Sequence, residues 1–173
     1  MTVFDCINTM DKRVFSYIWA VSQKYGRVYK AAVFISKISR PIYIAAYAAG
    51  FFLLSGSLSY LPGYIFIPAA CMAASYILRG ALKRPRPYKN LISGADFADL
   101  PRPASYSCPS NHSASSVVIA AACMWVYVPL GIALFIFCLP TGLCRVFAGL
   151  HYPSDIAAGW ALGLLFGAVF LFL

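Results

Sequence analysis

The sequence predicts an all-α, polytopic membrane helical bundle of about five transmembrane helices, preceded by an N-terminal interfacial amphipathic helix. Two observations support this fold class. Of the 173 residues, 61% are hydrophobic, which is far above the usual share in soluble domains. Uncharged runs long enough to cross a bilayer alternate with short charged segments. The length fits a single membrane-embedded domain over residues 1–173.

The N-terminal segment has apolar side chains at helical spacing over residues 3–25, with polar side chains on the other faces. This pattern predicts an amphipathic helix over residues 1–27 that lies in the membrane interface. The alternative is a span over residues 14–36, which would place Lys24, Arg27 and Lys30 in hydrocarbon. Each central charge costs ~2.5 kcal/mol or more, so the interfacial helix is preferred.

The uncharged runs predict the spans. The first runs over Pro41–Leu58, a turn follows at Leu58–Gly63, and the second span returns over Tyr64–Leu78. The polar connection Arg79–Ser110 comes next. The uncharged run Ser113–Cys144 is long enough for two spans that turn at Val128-Pro-Leu-Gly131, and Pro153–Leu173 makes the last. That last span carries Gly159, Gly163 and Gly167 at four-residue spacing, which predicts close helix packing.

The charge balance limits the function classes. The chain has fourteen Lys and Arg but only five acids, all Asp, which gives a net charge of +9. This excess suits a bilayer with anionic headgroups or a phosphorylated lipid substrate, and part of it serves to orient the helices. Nucleic acid is not an expected partner for so apolar a chain.

The six cysteines and two histidines show no metal-site spacing, so we expect neither a metal nor a cofactor. The N-terminus shows no compact apolar core followed by a small-residue cleavage site, so we expect insertion to rely on the spans themselves.

The stretch from Arg145 to Asp155 combines three side chains suited to phosphate chemistry at a predicted membrane boundary. Arg145 offers a planar fork of donors, His151 can attack or carry a proton, and Asp155 can fix the histidine tautomer. Antiparallel spans would bring Arg79–Ser110 and the second histidine, His112, to the same side. All fourteen Lys and Arg are expected on that side or its rim.

Three segments there form a recognisable pattern: Arg79-Gly-Ala-Leu-Lys-Arg-Pro-Arg86-Pro87, Pro109-Ser-Asn-His112 and Cys144-Arg145 through His151 to Asp155. They resemble the type 2 phosphatidic acid phosphatase family, which shares its site with the vanadium haloperoxidases. The family pattern is Lys-x6-Arg-Pro, Pro-Ser-Gly-His and Ser-Arg-x5-His-x3-Asp. The order and spacings match, and the resemblance covers residues 79–159.

The resemblance implies a role for each matching residue. His151 would be the nucleophile that forms a phosphohistidine, with Asp155 holding its tautomer. His112 would protonate the leaving oxygen and then activate water. The implied phosphate-binding residues are Arg79, Arg86, Ser110, Asn111 and Arg145. The reaction would need no metal ion.

Simpler structural roles stand beside these. Asp155 suits a helix N-terminus, and Arg79 and Arg145 suit the last turns of spans. Ser110 could cap the helix that begins after it, which is compatible with phosphate binding, so both roles stay open. The neighbouring Lys83 and Arg84 are interpreted as headgroup or surface contacts.

Three residues depart from the family pattern. Arg79 stands in place of Lys, which keeps the charge but changes the donor geometry. Asn111 replaces Gly, and Asn tolerates unusual backbone angles, so we expect the turn to survive. Cys144 replaces Ser and removes a hydroxyl donor. None of these groups makes or breaks bonds, so activity is still expected.

The leading hypothesis is an integral-membrane lipid phosphatase acting on phosphatidic acid, phosphatidylglycerol phosphate or an isoprenyl diphosphate. The alternatives are a lipid phosphotransferase and a non-catalytic subunit that binds anionic lipids. The multi-pass chain belongs in the cell membrane, but two arguments place its site on opposite sides. The charge count, with seven N-terminal cations beyond the motifs, favours the cytoplasm, whereas bacterial members of the family mostly present this face outside.

Overall fold

The computed structural model describes residues 3–54, 59–92 and 104–173, with side chains from Asn8 onward in the first helix. All regular elements in these ranges are helical, which confirms the all-α prediction. The elements are α1 (Val3–Lys24), α2 (Gly26–Leu54), α3 (Leu61–Leu82), α4 (Pro87–Asn90), α5 (Asn111–Val126), α6 (Val128–Phe147) and α7 (Pro153–Gly167), followed by a 3-10 helix (Ala168–Phe172).

Helix α5 is the centre of the bundle, and α2, α3, α6 and α7 all pack around it. Its 16 residues carry no Lys, Arg, Asp or Glu and are mostly small, so four neighbours can approach closely. The buried residues of α5 are Asn111, Ser113, Ala114, Ser116, Val117, Val118, Ala120, Ala121, Ala122 and Cys123.

The glycine stripe of α7 packs against α5, as its spacing predicts. A Cβ atom added to Gly159 would lie 2.6 Å from the carbonyl oxygen of Ser110. One added to Gly163 would lie 2.6 Å from the carbonyl oxygen of Ala114, and one added to Gly167 would lie 2.8 Å from the Cβ of Ala121. The two backbones therefore come close enough that only glycine fits at these positions. This contact brings the N-termini of α5 and α7 side by side.

Helix α1 packs on the bundle through one face and exposes another. Phe15 is fully buried, and the Ser22 hydroxyl donates a hydrogen bond of 2.8 Å to the Phe147 carbonyl oxygen. The exposed face carries Met10 and Tyr17, with 63% and 73% of their surface accessible. An exposed apolar face fits the predicted interfacial helix, and its location in the interface stays a prediction.

Helix α2 differs from its prediction. The expected span began at Pro41, whereas the helix begins at Gly26 and continues through that proline. Proline is tolerated inside membrane helices because neighbouring groups can satisfy the freed backbone. The additional turns are held by burial, since Val33 packs with Tyr88 and Leu150. Lys37 and Arg40 therefore lie on a packed helix.

The connections between the helices differ in part from their predicted positions. The turn between α5 and α6 was predicted at residues 128–131, and that position is wrong. Tyr127 alone separates the two helices, and residues 128–131 already belong to α6. Pro129 suits the first turn of α6, where no N–H is needed. The predicted turn at residues 58–63 and the connection over residues 79–110 lie partly outside the described residues.

Three segments within the described ranges are long and apolar enough to cross a membrane by length and composition. They are Leu61–Asn90, Val128–Phe147 and Pro153–Phe172. The other two predicted spans correspond to the cation-bearing α2 and the short, enclosed α5. The membrane bundle is supported, and the count of five spans stays a prediction.

Candidate active site

A cavity of about 500 Å³ opens at the end of the bundle where α3 and α6 end and α5 begins. Six of the eight predicted site residues line it: Arg79, Arg86, Asn111, His112, Arg145 and His151. The side chains of Ser110 and Asp155 are fully buried and lie behind the lining. No acidic side chain among the described residues lines the cavity, so its charge is strongly positive.

Helix ends position these side chains. Arg79 lies in the last turn of α3 and Arg145 in the last turn of α6, where cations are favoured by the helix dipole. Arg86 has an extended backbone between two prolines, as the sequence indicates. His112 is the second residue of α5, and His151 lies in the short loop before α7.

The Arg86–His151 contact defines the protonation of the histidine. The Arg86 Nη1 atom lies 3.1 Å from His151 Nε2 and 3.1 Å from the Leu150 carbonyl oxygen. Because a guanidinium only donates hydrogen bonds, Nε2 must be the acceptor. The proton of neutral His151 is therefore on Nδ1, and the lone pair of Nε2 is directed at an arginine of the cavity wall.

Asp155 lies on the opposite side of the His151 ring. Its Oδ2 atom is 3.5 Å from His151 Nδ1 and accepts a hydrogen bond of 2.9 Å from the Tyr152 N–H. Pro153 is the first residue of α7, so Asp155 falls in the first turn, as predicted. Burial of the imidazole lowers the pKa of His151 to about 4, and Asp155 acts in the opposite direction. His151 is therefore neutral at ordinary pH.

Two arginines share one anchor that the sequence did not reveal. Arg86 donates to the Ser105 carbonyl oxygen at 2.9 Å and to its hydroxyl at 3.2 Å. Arg79 donates to the Pro109 carbonyl oxygen at 2.8 Å and reaches the Ser105 hydroxyl at 3.5 Å. The third arginine, Arg145, is 7% exposed, and its Nε has no hydrogen-bond partner among the described residues. This N–H is therefore not used by a protein acceptor among those residues, and it can donate to a ligand oxygen.

The two residues before His112 stand at the start of α5. Ser110 caps α5, and its hydroxyl accepts a hydrogen bond of 3.4 Å from the Ser113 N–H. Since its side chain does not line the cavity, its phosphate contact stays a prediction. Asn111 is the first helical residue of α5 and has no positive φ. Asn111 therefore begins the helix without unusual backbone angles.

The interpretation of Arg84 as a headgroup or surface contact was also wrong. Its guanidinium, 10% exposed, donates to Asp155 Oδ1 at 2.7 Å and to Asp11 Oδ2 at 2.5 Å. Asp11 also accepts a bond of 3.0 Å from the Ser154 N–H. Arg84 thus joins α1 to the carboxylate behind His151. Lys83 is exposed, as expected, and ends α3 with a φ of 47°.

Sequence reasoning also missed two cations of the cavity. Lys37 and Arg40 line it from α2, and Arg40 Nη2 lies 3.4 Å from His112 Nε2. Both were counted among the N-terminal charges that orient the chain. Their three-residue spacing on a helix was the available signal, but the predicted span began after them. No group of three or more His, Cys, Asp or Glu side chains that could hold a metal forms within the described ranges.

Comparisons with known proteins agree with this geometry. The PAP2 superfamily model matches residues 60–172. The undecaprenyl-diphosphatase BcrC of Bacillus subtilis is 28% identical over 101 residues, covering 58% of this chain and 51% of the relative. The decaprenylphosphoryl-5-phosphoribose phosphatase of Mycobacterium tuberculosis is 32% identical over 98 residues, covering 56% and 51%. The chain thus spans about half the length of the curated relatives it matches.

A solved structure shares the fold. It is the crystal structure of a transmembrane PAP2 type phosphatidylglycerolphosphate phosphatase from Bacillus subtilis, with a TM-score of 0.73 and 19% identity. The match covers 96% of this chain and 85% of that one. Fold, motif order and family match therefore agree, and the chain belongs to the PAP2 superfamily.

Proposed function

We propose that the protein is an integral-membrane lipid phosphatase that removes a phosphoryl group from a lipid by way of a phosphohistidine on His151. One observation carries the proposal. The Nε2 lone pair of a buried, neutral histidine is directed at an arginine in the wall of a cavity lined by cations and by the second histidine. The names of the relatives, which describe lipid phosphatases and a diphosphatase, support the same activity.

The first step is attack of His151 Nε2 on phosphorus. Arg86 Nη1 contacts this lone pair, so it must transfer that donor to a phosphoryl oxygen when the substrate binds. Arg79 and Arg145 line the same cavity and would stabilise the charge that develops on the other oxygens. As His151 becomes cationic, Asp155 beside Nδ1 compensates the new charge.

The second histidine completes the reaction. Burial and the neighbouring arginines lower the pKa of His112 to about 2, so it must take up a proton together with the anionic substrate. It would then protonate the leaving oxygen and, as a base, activate the water that hydrolyses the phosphohistidine. A lipid hydroxyl in place of that water would give a phosphotransferase, which is the alternative within the same chemistry. Arginines do here what a metal ion does in other phosphatases, so we propose that the reaction is metal-independent.

A non-catalytic protein that binds anionic lipids is the competing function. It would use the same cations, but it would need neither the Arg86–His151 contact nor the carboxylate behind the ring. A carboxylate beside Nδ1 of a histidine whose Nε2 faces a cation-lined cavity is the arrangement that nucleophilic catalysis requires. This arrangement favours the enzyme.

Phosphate release from the purified, detergent-solubilised protein tests the proposal. The panel holds phosphatidic acid, phosphatidylglycerol phosphate, an isoprenyl diphosphate and an isoprenyl monophosphate, each with and without EDTA. We expect release from at least one lipid, unchanged by EDTA, and none from His151→Ala. Lys30→Gln, a change at an exposed residue of α2 outside the cavity lining, serves as the matched control. No release from any lipid would favour the binding protein, and loss in EDTA would contradict metal independence.

A further inference from the structure

The cavity holds a second set of polar groups beyond the three motifs. Ser36, Lys37 and Arg40 line it from α2. The Ser36 side chain is 4% exposed, and its hydroxyl has no hydrogen-bond partner among the described residues. A buried hydroxyl that no described protein group uses can donate a hydrogen bond to a ligand oxygen in this cationic wall.

Arg40 lies beside the second histidine of the cavity. Its Nη2 lies 3.4 Å from Nε2 of His112, the group expected to protonate the leaving oxygen. Arg79, Arg86 and Arg145 already provide cations for the transferred phosphoryl group. A further cation beside the general acid therefore faces the leaving group. An alkoxide leaving group carries no additional charge there, whereas a lipid monophosphate does.

From this arrangement, and resting on the proposed function, we infer that Arg40, Lys37 and Ser36 form a second anion subsite that binds the lipid-linked phosphate of a lipid diphosphate. In the reaction, the P–N bond to His151 forms as the bond from the terminal phosphorus to the bridging oxygen breaks. The electron pair goes to the bridging oxygen, which leaves as part of the lipid monophosphate. Arg40 stabilises the charge that develops on that oxygen, and protonated His112 gives the leaving lipid monophosphate its proton. Water then releases inorganic phosphate and restores His151.

The surroundings of Arg40 fit a lipid at this position. Ile44, one helical turn beyond Arg40 on α2, also lines the cavity, as do Met72 and Ile119. The wall therefore changes from cationic to apolar along α2, which is the order of groups in a lipid diphosphate, from head to chain. A rim of cations that merely holds headgroups would not need the buried Ser36 hydroxyl.

Binding to the inactive His151→Ala protein tests the subsite apart from turnover. Titration calorimetry in detergent compares farnesyl diphosphate with farnesyl monophosphate. We expect the diphosphate to bind about 10- to 100-fold more tightly, the value of one or two charge-assisted contacts. Adding Arg40→Gln should remove most of that preference. Arg27→Gln, an exposed cation of the same helix outside the cavity lining, should keep it.

Each result decides the question. A preference that Arg40→Gln removes supports the subsite. Equal binding of the two lipids, or a preference that survives Arg40→Gln, overturns it. In the active protein, Arg40→Gln should lower kcat/KM about tenfold more for the diphosphate than for the monophosphate, and an equal loss would also count against it. If the active protein releases no phosphate while the preference is present, the proposed catalysis fails and the subsite stands.

Discussion

At the scale of single residues, the neutrality of His151 is the property on which attack depends. Burial lowers its pKa to about 4, so the attacking form persists as pH falls until about that value. An ordinary histidine would be half protonated near pH 6.5. Because the chain has only two histidines, ¹⁵N-histidine NMR in micelles reports each directly, and His112→Gln assigns them. We expect His151 signals that hardly change between pH 8 and 5. A titration midpoint near 6.5 would contradict the burial argument.

Arg84 is the second residue whose role is testable alone. It pairs with two buried carboxylates, Asp11 and Asp155. Arg84→Met would leave both charges unpaired, and breaking such a pair costs about 3–5 kcal/mol. We expect a clearly lower temperature of half-inactivation in detergent, whereas Lys83→Met, the exposed neighbour, should resemble wild type. Equal stability of the two variants would show that the bridge contributes nothing.

At the scale of helices, the α5–α7 contact sets the distance between the two ends that carry His112 and Asp155. Gly163→Ala adds a Cβ that would meet the Ala114 carbonyl oxygen at 2.6 Å, a backbone atom that cannot move away alone. Gly80→Ala on α3 adds one into open space and gains about 1 kcal/mol of helix propensity. We therefore expect the first variant to lose heat stability and the second to keep or raise it. Heat-inactivation curves compare them, and the reverse order would be evidence against the tight contact.

The same scale shows what the sequence could and could not predict. Uncharged runs predicted most helices, and the glycine spacing predicted a close helix contact in the last one, because both depend on local pattern. That the partner is α5 came only from the structure. Spacing also brought six of the predicted site residues to one cavity. The predicted start of α2 at Pro41 was wrong because distant residues stabilise the turns before it. The N-terminal half of α2 packs against α4 and the His151 loop, and such contacts cannot be read from the local sequence. Arg84 was misjudged because its partner Asp11 is 73 residues away.

At the scale of the whole molecule, the cations divide between orientation and chemistry. The charge count that favours a cytoplasmic site includes Lys37 and Arg40, and both line the cavity. Cations that bind phosphate carry no information on membrane topology. Fewer cations than the sequence suggested therefore support a cytoplasmic site. The side of the membrane on which the cavity opens is therefore a matter for labelling experiments with intact cells.

The covalent intermediate is the central claim for the molecule, and its capture is the most direct test. The active protein is mixed with a substrate lipid labelled with ³²P in the transferred phosphoryl group and quenched in base, where phosphohistidine survives. We expect label on the peptide that contains His151, more label in His112→Ala if His112 activates the water, and none in His151→Ala. Turnover by the wild-type protein without label on His151, or turnover by His151→Ala, would contradict the account.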